Sequence, residues 1–203
     1  MTNDILEQIT EDYLRELGYF TQHNILYRPK DFKQTPSDID IMAIHPTKKG
    51  IDKVIVVSCK SWQSGLNVPA ILGNLTNNPT KVIGGKSRIK LFREIADPIW
   101  SEAITEKVYK LTGKKVFTFY LTATHIRGDK QKWEEFLMFK KNLPHCDIKI
   151  LSMQDMITKI VNQKRDTRMP VHSVLGRLLQ LIKSAGGEVN FNKVKKAVID
   201  KKN

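Results

Sequence analysis

Four consecutive β-branched residues, Val54-Ile55-Val56-Val57, run directly into Ser58, Cys59 and Lys60. Such a run is stiff at χ1 and suits a pleated strand better than a helix. In a strand its side chains point alternately to the two faces, so both faces must be covered by apolar layers. The chain therefore needs a sheet with this strand inside it and helices on either side. Residues 4–17 place Ile5, Leu6, Ile9, Tyr13, Leu14 and Leu17 at helical spacing, and Gly18 follows as a stop. Residues 19–28 read as a strand ended by Pro29, and 38–45 as an alternating strand followed by a turn over 47–52. From 68 to 111 the pattern is helical, with breaks expected at Gly73, Pro79, Gly84-Gly85 and Pro98, and Gly113 closing it. A strand over 115–124, one helix over 129–142 capped by Asp129, a strand over 147–151 and a helix over 153–162 complete the order. This is the order of a single α/β sandwich around a mixed sheet that opens with a hairpin.

Composition narrows the function classes. With 40% apolar residues the chain can bury a core, and its net charge of +13 points to a polyanionic partner. The acids crowd toward the N-terminus. Between Asp52 and Glu94 there is none, while Lys53, Lys60, Lys81, Lys86, Arg88, Lys90 and Arg93 are all basic. Cys59 and Cys146 are too few for a disulfide framework, which suits a reducing cytoplasm. No apolar run approaches the ~20 residues of a membrane span. The first twenty residues, with five acids and only Arg15 basic, lack the form of a signal peptide. His23, His45, His125, His145 and His172 show no zinc-site spacing, and no glycine-rich phosphate loop calls for a nucleotide cofactor. Trp62, Trp100 and Trp133 read as core residues.

The chemistry concentrates where two strands end. By strict alternation Asp38, Asp40, Met42 and Ile44 share a face, as do Val54, Val56, Ser58 and Lys60. If these strands are neighbours, Asp40 and Lys60 meet at the end of the sheet, with an acid-bearing helix packed nearby. Carboxylates hold Mg²⁺, and a lysine orients water and neutralises charge at a phosphate. Helix acid, IDIMAI strand and VIVVSCK strand together resemble the PD-(D/E)XK nuclease superfamily, the restriction-endonuclease-like fold. Glu7, eleven residues before Gly18-Tyr19, is similar to the helix glutamate of Mrr-type restriction enzymes and Holliday-junction resolvases. Residues 117–136 and 147–161 resemble the later Mrr-type strands and helices, whereas 75–113 matches nothing in the family.

The resemblance implies an αβα sandwich and a Mg²⁺-dependent endonuclease, with Mn²⁺ as a substitute metal. Catalytic positions would be Glu7, Asp40, Ser58 and Lys60, and metal would lie on Glu7, Asp40 and Asp38. Ser58 departs from the motif, which has an acid or glutamine there, and a neutral hydroxyl is a weaker Mg²⁺ ligand. Some relatives with Ser supply the acid from the next helix, but here the first acid after Lys60 is Glu94. Three readings stay open: Asp38 supplies the second carboxylate, Glu11 reaches in from one turn after Glu7, or the site is weakened or dead.

Residues 163–170 read as a linker, which divides the chain into a nuclease-like domain over 1–163 and a basic helical extension over 164–203. In the extension Val174, Leu175, Leu178, Leu179 and Ile182 form one apolar stripe. Lys193, Lys195 and Lys196 lie on a second helix, which suits either phosphate contact or a homodimer interface. DNA contacts are expected at Lys81, Lys86, Arg88, Lys90, Arg93, Lys193, Lys195 and Lys196. The functional expectation is a cytoplasmic DNA endonuclease. A Holliday-junction resolvase and a catalytically silent DNA-binding protein on the same fold are the alternatives.

Overall fold

The computed structural model describes residues 4–163 except 31, 34, 81, 84 and 85, together with 176–177, 181 and 184–185. The rest of the 164–203 extension, with Lys193, Lys195 and Lys196, lies outside the described residues, as does Lys81. Five strands build the main sheet: β1 (Phe20–Tyr27), β2 (Ser37–Ile44), β3 (Val54–Lys60), β7 (Thr118–Ala123) and β9 (Asp147–Ser152). They lie side by side in that order. β1, β2 and β3 pair antiparallel, whereas β3, β7 and β9 pair parallel. The sheet is thus mixed and opens with a hairpin, and helices cover both its faces. β3 sits at the centre, where antiparallel pairing gives way to parallel. Its Val54–Val57 run is only 0–2% exposed, as a strand covered on both faces requires.

One face carries α1 (Ile5–Glu16) and α8 (Met153–Gln163). Leu6, Ile9, Tyr13 and Leu14 of α1 and Met156, Ile157 and Ile160 of α8 pack there on Ile41, Ala43, Ile55 and Val57. The Asp4 carboxylate caps α1 by accepting from the Leu6 amide at 2.8 Å. The opposite face is covered by α2 (Val68–Asn77), α4 (Arg93–Ala96), α5 (Pro98–Thr112), α6 (Lys130–Glu134) and α7 (Leu137–Asn142). The single turn α3 (Arg88–Leu91) follows a small hairpin of β5 (Val82–Ile83) and β6 (Lys86–Ser87). Among the described residues no helix is long and apolar enough to cross a membrane.

Three local expectations need correction. Gly73 does not break α2, because Val68, Ile71 and Leu75 bury one stripe and Asn67 caps the start. A glycine costs a helix about 1 kcal/mol, less than that stripe gains. The helix expected over 129–142 is two, α6 and α7. Trp133 and Phe139 are six residues apart and would face different sides of one helix. The extended backbone at Phe136 instead brings their rings to 4.9 Å. Third, alternation along β2 fails at Asp40. Ile41 and Ala43 pack toward α1, but Ile39 joins Met42 in the core on the other face.

Off the carboxyl ends of β3 and β7, the short strands β4 (Leu66–Asn67) and β8 (Ile126–Arg127) pair in parallel. They tie the loops beyond Lys60 and Ala123 into a ledge. Gly65 has φ 64, and a Cβ on it would stand 2.5 Å from the His125 carbonyl oxygen. Gly50 has the same φ with nothing within 4 Å, so it isolates the conformational cost. Gly50→Ala is expected to cost about 1 kcal/mol. Gly65→Ala is expected to cost at least about 2 kcal/mol, because backbone must also move. Urea denaturation of both variants reads the difference, and equal losses would show that the ledge gives way freely.

Candidate active site

The aromatic packing delivers an unexpected acid. Trp62, two residues past Lys60, packs edge-on against Phe92 at 5.8 Å, and Phe92 against Trp133 at 5.3 Å. Phe92, Ile95 and Ala96 are buried, so the intervening turn is held inside the core. Its main chain is anchored as well. Ser101 Oγ donates to the Glu94 carbonyl at 3.0 Å, and Asn142 Nδ2 donates to that of Ile95 at 3.0 Å. On the outer side Arg93 lies over the Trp100 ring at 3.9 Å and donates from Nε to Ser37 Oγ at 3.2 Å. Between these anchors Glu94 points toward the end of β3.

There its Oε1 receives two bonds, from Ser58 Oγ at 2.7 Å and from Lys60 Nζ at 3.2 Å. The two side chains of the ion pair are 19% and 8% exposed, Lys60 and Glu94 respectively. Burial alone would raise the Glu94 carboxyl, but the Lys60 charge and the Ser58 hydroxyl outweigh it and lower its pKa. Burial likewise opposes the Lys60 ammonium, and Glu94 and Asp40 more than compensate, raising its pKa. Glu94 thus meets Ser58 from 36 residues along the chain.

Asp40 completes the group. β2 and β3 pair only as far as Ile41↔Val57. Just beyond, the Asp40 carboxylate accepts from the Cys59 amide. Burial pushes its pKa up to about 7; the amide and Lys60 pull it down, and Asp38 and Glu94 add repulsion. Glu94 and Asp40 thus both act on the Lys60 ammonium, and Asp38 adds repulsion at Asp40. Asp40 and Glu94 are the carboxylates here that could hold a hard divalent cation such as Mg²⁺, which takes oxygen ligands. Among the described residues, no three His, Cys, Asp or Glu side chains are already gathered into a metal-holding group.

The remaining candidates divide by layer. Glu7 rides on α1, over the opposite face from Glu94, and burial, Asp4 and Asp38 raise its pKa. Asp38 is exposed and electrostatically bridges Glu7 and Asp40. Glu11 is engaged elsewhere, by Thr21 Oγ1 at 2.7 Å, His23 Nε2 at 3.0 Å and Arg15 at 2.7 Å. Cys59 turns to the α1 side, where Thr122 Oγ1 donates to its sulfur at 3.2 Å. Of the expected DNA contacts, Lys90 is exposed and Arg93 engages Trp100 and Ser37, whereas the side chains of Lys86 and Arg88 lie outside those described. Exposed Gln63, His125 and Arg127 line the ledge beside the site, and neither His125 nor Arg127 is among the residues expected to touch DNA.

Glu94 is the residue that sequence reasoning missed. Its signal was present: a lone acid ending an acid-free stretch, set in Phe92-Arg93-Glu94-Ile95-Ala96, where an unpaired charge would be buried. Comparison of the chain with protein-family models, with curated proteins and with solved structures returned no match.

Two measurements check the electrostatics. Glu94→Ala leaves the Lys60 ammonium buried without its partner and is expected to cost about 3–5 kcal/mol. Adding Lys60→Met is expected to recover about 1.5–3 kcal/mol of that in a double-mutant cycle. Additive losses would show the pair to be uncoupled. Asp40 binds its proton more tightly folded than unfolded, where its pKa is about 3.9. The stability this confers is complete below that value and lost as pH rises through about 7. Asp40→Asn removes the dependence and keeps an oxygen for the Cys59 amide. Relative to wild type it is therefore expected to gain on the order of 3 kcal/mol between pH 4 and pH 8. A flat difference across that range would contradict the buried carboxyl.

Proposed function

We propose that this chain is a metal-dependent endonuclease that hydrolyses phosphodiester bonds in DNA. The observation that carries the reading is the return of Glu94 to Ser58 and Lys60 beside Asp40. An acid, a second acid and a lysine gathered where two strands part is the donor set of metal-assisted phosphoryl chemistry. Asp40 and Glu94 would hold Mg²⁺, which would supply Lewis acidity and a water of lowered pKa. Lys60 would donate to a non-bridging phosphate oxygen and offset the charge that builds in the transition state. Ser58 would fix the Glu94 carboxylate by its 2.7 Å bond rather than serve as a ligand itself. Burial pushes Asp40 up to about 7 without metal, so protons would compete with the cation for it and metal binding would strengthen as pH rises through that range. The net charge of +13 and the exposed Lys90 and Arg127 suit a phosphate backbone.

The test is cleavage of supercoiled plasmid and of a four-way junction with Mg²⁺, Mn²⁺ or EDTA. Metal-dependent cutting is expected, reduced at least ~100-fold in Asp40→Ala, Lys60→Ala and Glu94→Ala. Preference for the junction would identify a resolvase. DNA binding without cutting of either substrate would favour a silent binding protein, for which the neutral Ser58 and the closed Lys60–Glu94 pair already speak. If cutting survives in Glu94→Ala, the site lies elsewhere.

A further inference from the structure

Along β1 one residue departs from extended backbone: Asn24, with φ 54, the left-handed region. Its neighbours pair as His23↔Ile41 and Ile25↔Ile39, so Asn24 stands opposite Asp40, and that pair alone is skipped within the ladder. The register is the same on both sides, so no residue has been inserted and this is not a bulge. The change is in the facing of the strands. Before the skipped pair, Thr21 and His23 reach Glu11 on the α1 side, and Ile41 and Ala43 pack there. Beyond it, Ile25, Tyr27 and Ile39 all pack in the core on the other face. Both strands of the hairpin therefore roll over at one step, and Asp40 lies on it.

The roll coincides with the parting of β2 from β3 after Ile41↔Val57. In a continuing ladder the Cys59 amide would pass to a main-chain carbonyl of β2. Here the Asp40 carboxylate takes it. A regular pleat would have set Asp40 on the Met42 face in strict alternation, with no reason to meet that amide.

We propose that Asn24 is a positioning residue for Asp40: its left-handed backbone rolls the hairpin and delivers the Asp40 carboxylate to the Cys59 amide beside Lys60. The Asn24 side chain is exposed, so the role belongs to its backbone. Asparagine and glycine adopt this region most readily, alanine less so, and β-branched residues hardly at all. The placement of Asp40 stands on geometry, and its catalytic consequence rests on the nuclease reading.

The experiment uses the full-length chain, ¹⁵N-labelled, as wild type, Asn24→Gly, Asn24→Ala, Asn24→Val and Asp40→Ala. Hydrogen exchange of the Cys59 amide is compared with that of Ile55 and Val56 in the same strand, and plasmid cleavage is measured in parallel. Asn24→Gly is expected to keep Cys59 protection within about threefold. Asn24→Val is expected to lose at least ~10-fold at Cys59 alone, as Asp40→Ala does, with Asn24→Ala between them. If the valine protein does not fold, the glycine-to-alanine order reads the same effect. Unchanged Cys59 protection in a folded alanine or valine variant overturns the proposal. So does a loss spread evenly along β3, which would mean general weakening. If the wild type cuts no DNA yet the Cys59 pattern holds, the nuclease reading fails and the positioning role stands.

Discussion

A buried ion pair organises this molecule. Lys60 ends the most apolar strand of the sheet, where an ammonium has little water around it. Glu94 meets it from a turn that is itself buried, with Ser58 sharing the same carboxylate oxygen. Neither charge could stay inside without the other, since an uncompensated buried ion costs several kcal/mol. The turn carrying Glu94 is fixed because Phe92 and Ile95 have nowhere else to go, and the aromatic chain through Trp62, Phe92, Trp133 and Phe139 fills the space behind them. Core packing and site chemistry therefore share the same residues.

The second constraint is the way β2 leaves β3. Strands that stay paired satisfy their own amides. β2 and β3 part after Ile41↔Val57, and the Cys59 amide turns to the Asp40 carboxylate for its partner. That bond stabilises a charge which burial and two neighbouring acids oppose, and burial prevails, pushing the carboxyl up to about 7. A carboxyl so poised is sensitive to any cation that enters, a property an exposed aspartate would not have.

Much of the frame was legible. The β-branched run fixed a strand covered on both faces, the spacing in α1 fixed an amphipathic helix, and Asp40, Ser58 and Lys60 stood out as polar residues in apolar strands. What escaped was of two kinds. The helix over 129–142 and the alternation along β2 both failed because a tertiary demand overruled a local period: two aromatics needed one cluster, and one backbone step needed to roll. Glu94 escaped because spacing along a chain says nothing of a contact 34 residues away. The basic residues placed on a DNA-facing surface were read from charge alone, and charge does not show that Arg93 also packs on Trp100 and donates to Ser37.

By itself, then, the sequence determined the layers and the polar residues that close the central strands, because burial and pleat are properties of short segments. Only the tertiary structure decided which acid meets Lys60, that Asp40 leaves its face, and that Glu7 lies across the sheet from Glu94. These outcomes depend on how aromatic side chains fill one volume and where two strands separate, and neither quantity is written at any single stretch of chain.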